Sequence, residues 1–260
     1  RMINMKYIDS HVHLDQYESK AISEIVEDVH LDRLVTVSNH LDSCKKNKLL
    51  SEKYTKVFPA YGYHPEQPLP ADHEKELLFS WIRDNASSMV AVGEVGLPYY
   101  LRKQGKVTEE DYYKYLDLLE EFCLLTSSLE KPIVLHAVYE DAAIACDLLE
   151  KHHVKKAHFH WFKGDKQVIT RLMNNGYFIS ITPDVVYEQE IQHLVDMYPL
   201  ELLFVETDGP WQFEGLFERK MTAPWMMKEA MKKIAKIKNV SLEKVYAQIY
   251  ENTKRFYFER

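Results

Sequence analysis

Eight short, nearly uninterrupted apolar runs recur along the chain, each followed by a polar loop and most by a longer stretch of helical periodicity. They read KYIDSH, RLVTVSN, KVFPAYG, MVAVGEVG, KPIVLHA, KAHFHW, YFISIT and LLFVET. A strand that is apolar on both faces must be covered on both, as in a parallel sheet wrapped by helices. Eight such β/α units within 260 residues match the length of one (β/α)8 TIM barrel, and their regular alternation favours that closed form over an open doubly wound sheet. One domain spanning 1–260 is therefore expected, since single cores stop growing near this size.

Two of the intervening stretches carry their own start signals. In TEEDYYKYLDLLEEFCLLTSSLEK, Thr108 is placed to cap a helix with Asp111 three residues on, and Tyr112, Tyr115, Leu116, Leu119, Phe122 and Cys123 share one face. The closing segment SLEKVYAQIYENTKRFYF reads as a helix capped by Ser241. The basic, amphipathic KEAMKKIAKIKN is expected to be a solvated outer helix of the barrel rather than an anion-steering surface.

Apolar residues at 46% suffice for a core, and no run approaches the roughly 18 consecutive apolar residues of a membrane span. The opening RMINMKYIDS lacks the apolar stretch of a secretory signal, so the cytoplasm is the expected compartment. Cys44, Cys123 and Cys146 are an odd number at wide spacing and read as reduced, buried thiols. The formal charge of −7 works against indiscriminate coating of nucleic acid, yet leaves a metal-assisted phosphoesterase open. Neither GxGxxG nor GxxxxGK[ST] follows the first strand, and with only eight glycines in the chain phosphate cradling by backbone is not expected. Side chains must do the chemistry.

Their placement is the second constraint. His11 and His13 stand two apart at the end of the first strand and can face the same way. Taken alone, the pair is as readily two polar residues closing a strand as half of a metal site. The fourth run presents Glu94, the fifth ends in His136, the sixth in His158 or His160, and the eighth in Glu206 and Asp208. Barrel active sites form at the C-terminal ends of the strands, so these positions converge in space. Four histidines, a glutamate and an aspartate can hold two divalent cations, with Glu94 able to bridge them at roughly 3.5 to 4 Å. Mixed nitrogen and oxygen donors suit Zn, Mn, Co or Ni, with Mg also accommodated.

The segments IDSHVHLD, GYHP, GEVGLPYY, PIVLHA, HWFKG and VETDGPW, in this order, resemble the TatD family of metal-dependent hydrolases, within the amidohydrolase-like barrel superfamily. The resemblance runs from Asp9 to the closing ENTKRFYF. It implies that His11 and His13 hold one metal with Glu94 and Asp208, while Glu94, His136 and His160 hold a second. HWFKG matches the family's His-Cys-Phe-Ser-Gly segment, which makes His160 the ligand and His158 structural, with Trp161 and Lys163 beside the substrate. His64, in GYHP, would contact phosphate or the leaving group, and Asp9 would support the strand end. Three positions depart from the family pattern: Pro98 stands where an aspartate is usual, HAVYEDA lacks an arginine, and only FERKMTAP, with Arg219 and Lys220, remains of an Arg-Gly-Lys-x-Asn-x-Pro stretch.

The activity this implies is hydrolysis by a metal-activated water, with Asp208 as its proton acceptor or as a ligand only, and Glu94 as the bridge. Two divalent ions, Mg, Mn or Zn, are the expected cofactors, and DNA or a small phosphoester the expected substrate. A small amide, ester or lactone hydrolase on the same fold is the alternative, motivated by the missing arginine and aspartate. A binding protein with a vestigial metal centre is the third reading, opposed by ligands on five strands. The loop aromatics Tyr99, Tyr100, Trp161 and Trp211 would stack on a base or sugar, or pack as a lid.

Overall fold

Strands β1 Tyr7–Val12, β2 Leu31–Thr36, β3 Val57–Tyr61, β4 Ala91–Gly96, β5 Ile133–His136, β6 Ala157–Phe159, β7 Phe178–Ile181 and β8 Leu203–Val205 coincide with the eight apolar runs in the computed structural model. Residues 5–259 are described; residues 1–4, part of the stretch read for a secretory signal, and residue 260 lie outside them. The strands are parallel and hydrogen-bonded in chain order from β1 to β8. The ring closes where Ser10 Oγ donates to Val205 O at 2.9 Å, and where Asp208 N and His13 N donate to His11 O and Gly209 O. This is the (β/α)8 barrel. All six residues of β1 and of β4 are buried, as strands covered on both faces must be.

The helices form where their sequence signals lie. Thr108 caps Glu109–Leu129 by accepting from Asp111 N, and Ser241 caps Leu242–Tyr257 by accepting from Lys244 N. Met226–Lys238 buries Met227, Ala230, Met231 and Ile234 and turns its lysines outward. The three cysteines are free and buried. Among the described residues no helix is long and apolar enough to cross a membrane.

The barrel interior is layered, and the layering positions the site. Val35, Val37, Ala60, Ala91, Val134 and Phe204 pack with Phe256 and Tyr257 of the last helix as an apolar floor. Asn252 ties that helix to the sheet, donating to Leu200 O and Leu203 O at 2.8 and 2.9 Å. Above the floor, His158 is wholly buried, with Nδ1 2.6 Å from Tyr257 Oη and Nε2 2.6 Å from Ser180 Oγ. Burial holds its pKa well below the ordinary histidine value. The next inward layer holds the candidate ligands.

Candidate metal centre

Strand ends bring the ligands together, and close backbone approach sets their height. Gly96, at φ +158°, lies so near β5 that an added Cβ would fall 1.9 Å from His136 O. Leu97 N can therefore donate to that carbonyl at 3.0 Å. On the opposite side Asp208 sits at φ +50°, a region that aspartate tolerates better than most residues, and this turns its carboxylate toward β1. Asp9 Oδ2 accepts from Thr207 Oγ1 at 2.5 Å, while its Oδ1 accepts from Thr207 N and His11 N. Burial raises the Asp9 pKa to about 7 against these bonds. Asp9 thus ties β1 to the turn that carries Asp208, the support expected of it.

Glu94 is the centre of the arrangement, fully buried, with imidazoles divided between its two oxygens. His11 Nε2 and His13 Nε2 approach Oε2 at 3.1 and 3.2 Å. His160 Nε2, His64 Nε2 and His136 Nδ1 approach Oε1 at 2.7, 3.2 and 3.4 Å. Asp208 Oδ1 joins the first group, 3.3 Å from His11 Nε2 and 3.4 Å from His13 Nε2. Donor atoms of His11, His13 and Asp208 lie within 4.8 Å of one another, as do those of His64, Glu94 and His136.

Both Glu94 oxygens, His11 Nε2 and Asp208 Oδ1 are buried without a well-directed hydrogen bond among the described residues. Buried polar atoms left so are rare and costly, and a set of converging lone pairs is what a divalent cation requires. The residues therefore fit the metal ions that the family resemblance implies. His11 stacks on His160, 3.7 Å between ring centroids and 1° from parallel.

The electrostatics follow from burial and mutual contact. Burial would raise the Glu94 pKa, but His64, His160 and His11 together hold it well below the carboxylate range. Asp208 is likewise lowered against burial, chiefly by His11 and His13. Burial opposes protonation of His13, yet Asp208 and Glu94 outweigh it and raise its pKa to about 10. For His160, Glu94 and Glu206 overcome burial and raise the pKa well above 6.5. The carboxylates thus hold protons on these imidazoles that an arriving cation must displace.

His11, His13, His64, Glu94, His136, His160 and Asp208, all expected from the sequence, lie together in this cluster. His64 stands as near to Glu94 as the imidazoles expected to ligate, closer in than a purely substrate-side position. Trp161 and Lys163 line a cavity of about 750 Å³ that opens above Glu94. Trp161 adopts φ +39° and is held by its Nε1 donating to Asp184 Oδ2 at 2.8 Å. Arg219 and Lys220 do not line the cavity; the Arg219 side chain is 91% exposed and Lys220 Nζ donates to Leu216 O.

Two carboxylates have contacts that the sequence reading did not assign. Glu206 Oε1 lies 3.1 Å from His160 Nδ1, and Oε2 accepts from Ser180 Oγ. Glu66 Oε1 lies 3.1 Å from His136 Nε2 and accepts from Tyr100 N, while Oε2 accepts from Leu101 N, both at 2.8 Å. Each carboxylate engages the ring nitrogen turned away from Glu94, which fixes the proton there and leaves the inner nitrogen free to bind a cation. The signal for Glu66 was its position two residues beyond His64; for Glu206, its place beside Asp208 at a strand end.

A buried cluster of imidazoles and carboxylates at the C-terminal mouth of a (β/α)8 barrel defines a metal-dependent hydrolase of the barrel type. The family model described as TatD related DNase matches residues 8–258. The chain belongs to the TatD family of metal-dependent hydrolases. It is 39% identical to an uncharacterized metal-dependent hydrolase of Haemophilus influenzae over 96% of this chain and 98% of that protein. It is 26% identical to the human deoxyribonuclease TATDN3, over 99% of this chain and 96% of that protein. Among solved structures, YJJV, a TatD homolog from Escherichia coli K12, superimposes with a TM-score of 0.85 at 19% identity, covering 98% of this chain and 99% of that one.

Proposed function

We propose that the protein is a divalent-metal-dependent phosphodiesterase, acting as one TatD-like domain over residues 1–260 in the cytoplasm, where its free thiols would stay reduced. In this reading His11, His13, Glu94 and Asp208 hold one ion, and Glu94, His136 and His160 hold a second, with Mg, Mn or Zn as the candidates. The observation that carries it is the division of Glu94, with two imidazoles on Oε2 and three on Oε1. A carboxylate serving one structural ion pair needs no such division.

When bound, the two ions would supply Lewis acidity to the phosphoryl group and bring the pKa of a captured water toward about 7. The chain's own residues do the rest. Asp208, its carboxylate kept ionised by His11 and His13, accepts the proton of the attacking water. As the water oxygen bonds to phosphorus, the bond to the leaving oxygen breaks, giving a phosphomonoester and an alcohol. His64 contacts the phosphoryl or leaving oxygen from the Oε1 side, and Lys163 and Trp161 flank the substrate. Glu66 and Glu206 fix the rings of His136 and His160. The name of the human relative supports a nucleic-acid phosphodiester within this class.

The test is protein stripped of metal and reloaded with Mg, Mn or Zn, assayed on bis(4-nitrophenyl) phosphate, on labelled single- and double-stranded DNA, and on small esters, amides and lactones. Metal-dependent phosphodiester cleavage is expected. Turnover confined to esters, amides or lactones would move the protein to that alternative.

A further inference from the structure

The cavity above Glu94 is poor in positive charge. Lys163 is the only lysine or arginine among its lining residues, and among the described residues it makes no ion pair. Its ammonium lies 5.2 Å from the centre of the Trp161 ring, inside the mouth. Toward solvent the lining turns acidic, with Glu188 and Glu214 on the segments after β7 and β8. Glu188 and Glu214 are exposed, and no lysine or arginine pairs with either among the described residues. The family's expected basic residues do not relieve this, since Arg219 and Lys220 face elsewhere. Arg102 and Lys103, in the short helix Tyr99–Lys103 after β4, are engaged with Glu140, and Arg102 also with Asp141.

Aromatic surface frames the same mouth. Tyr100 follows β4 and Trp211 follows β8, which stand on opposite sides of an eight-stranded ring, and both side chains line the cavity. They are 40% and 59% exposed, so each offers a ring face. The volume of about 750 Å³ lies within the range of pockets that enclose one small ligand, roughly 300–1,000 Å³.

We infer that the substrate is a short phosphodiester of dinucleotide size, with one phosphate at the metal centre and a planar group against the mouth aromatics, and that the acidic rim disfavours a continuing polynucleotide. The inference rests on the phosphodiesterase reading. One phosphate can be met by the metal centre and Lys163, and one planar group by an aromatic face that needs no particular base. Each further phosphate along a chain must pass uncompensated carboxylates, and like charge at a mouth slows and weakens association in a salt-dependent way.

The test compares kcat/KM of the Mn-loaded protein on a thymidine dinucleotide and on a 20-residue oligothymidylate, at low and high salt, for the wild type and for the double variant Glu188→Lys/Glu214→Lys. We expect the dinucleotide to be favoured by about tenfold or more at low salt, with the preference shrinking as salt screens the rim. The double variant should shift the ratio toward the longer substrate by about tenfold at low salt. Equal or better turnover of the 20-mer at low salt, or a ratio unmoved by both salt and charge reversal, would overturn the inference while leaving the phosphodiesterase intact. If no phosphodiester of either length is cleaved, the phosphodiesterase reading itself fails, and the inference with it.

Discussion

Replacing Glu66 with glutamine changes one atom and should weaken one metal site selectively. Glu66 uses both oxygens as acceptors: Oε1 for Tyr100 N and His136 Nε2, Oε2 for Leu101 N. A glutamine has only one acceptor oxygen. If that oxygen faces Tyr100 and His136, the amide NH2 points at the Leu101 N–H; if it faces Leu101, the NH2 points at Tyr100 N and at His136. In the second arrangement His136 relieves the conflict by deprotonating Nε2 and carrying its proton on Nδ1, the nitrogen 3.4 Å from Glu94 Oε1. In that second arrangement the ring is no longer held in the form that offers Nδ1 to a cation. Loss of such an outer partner costs about 10- to 100-fold in metal affinity, or ~1.4–2.7 kcal/mol. The unsatisfied amide at the start of the Tyr99–Lys103 helix should cost ~1 kcal/mol of stability, a drop of about 2–4 °C in Tm. The assay is a two-site Mn titration by calorimetry with chelator competition. The weakened site should be the one that His136→Ala also removes, with the other within a few-fold of wild type. Equal weakening of both sites, or of neither, would refute the orienting role.

Three further outcomes separate ligands from scaffold and protons from metals. His158→Ala should keep its full metal content while losing about 2–4 kcal/mol of stability by denaturant unfolding, because it leaves a cavity, strands Tyr257 Oη and leaves Ser180 Oγ with Glu206 alone. His160→Ala should lose an ion by elemental analysis; the reverse pattern would exchange the roles of the two histidines. Metal uptake at pH 7 should release protons, seen as a buffer-dependent calorimetric enthalpy, and affinity should rise with pH toward 10, since His13 has its pKa raised to about 10. In the metal-free protein the same raised pKa contributes stability that is full below about 6.5 and is lost as pH rises toward 10, so its unfolding free energy should decline across that window.

Much of the fold was legible because burial on both faces writes itself into a parallel strand. All eight apolar runs became strands, although β2 begins at Leu31 rather than Arg33 and β6 stops at Phe159, so that His160 lies just beyond it. Ligand candidates were legible not one by one but together, because five apolar runs end in a histidine or carboxylate and barrel strand ends converge. What stayed hidden was long-range and polar. Glu66 lies in a loop and meets His136 across 70 positions, a pairing that no periodicity encodes. Glu206 and Asp208 looked alike at the strand end, and only the turn at Asp208, φ +50°, sends one carboxylate to His11 and His13 and leaves the other against His160. His64 was expected on the substrate side, and its 3.2 Å approach to Glu94 Oε1 depends on the path of the loop after β3.

The most direct test of a two-metal centre built on Glu94 is the Mn content of loaded, gel-filtered protein, measured for the wild type and for Glu94→Ala with the fold checked by circular dichroism. Two ions per chain are expected in the wild type and none in the folded variant. A single ion in the wild type, or two retained without Glu94, would contradict the bridge.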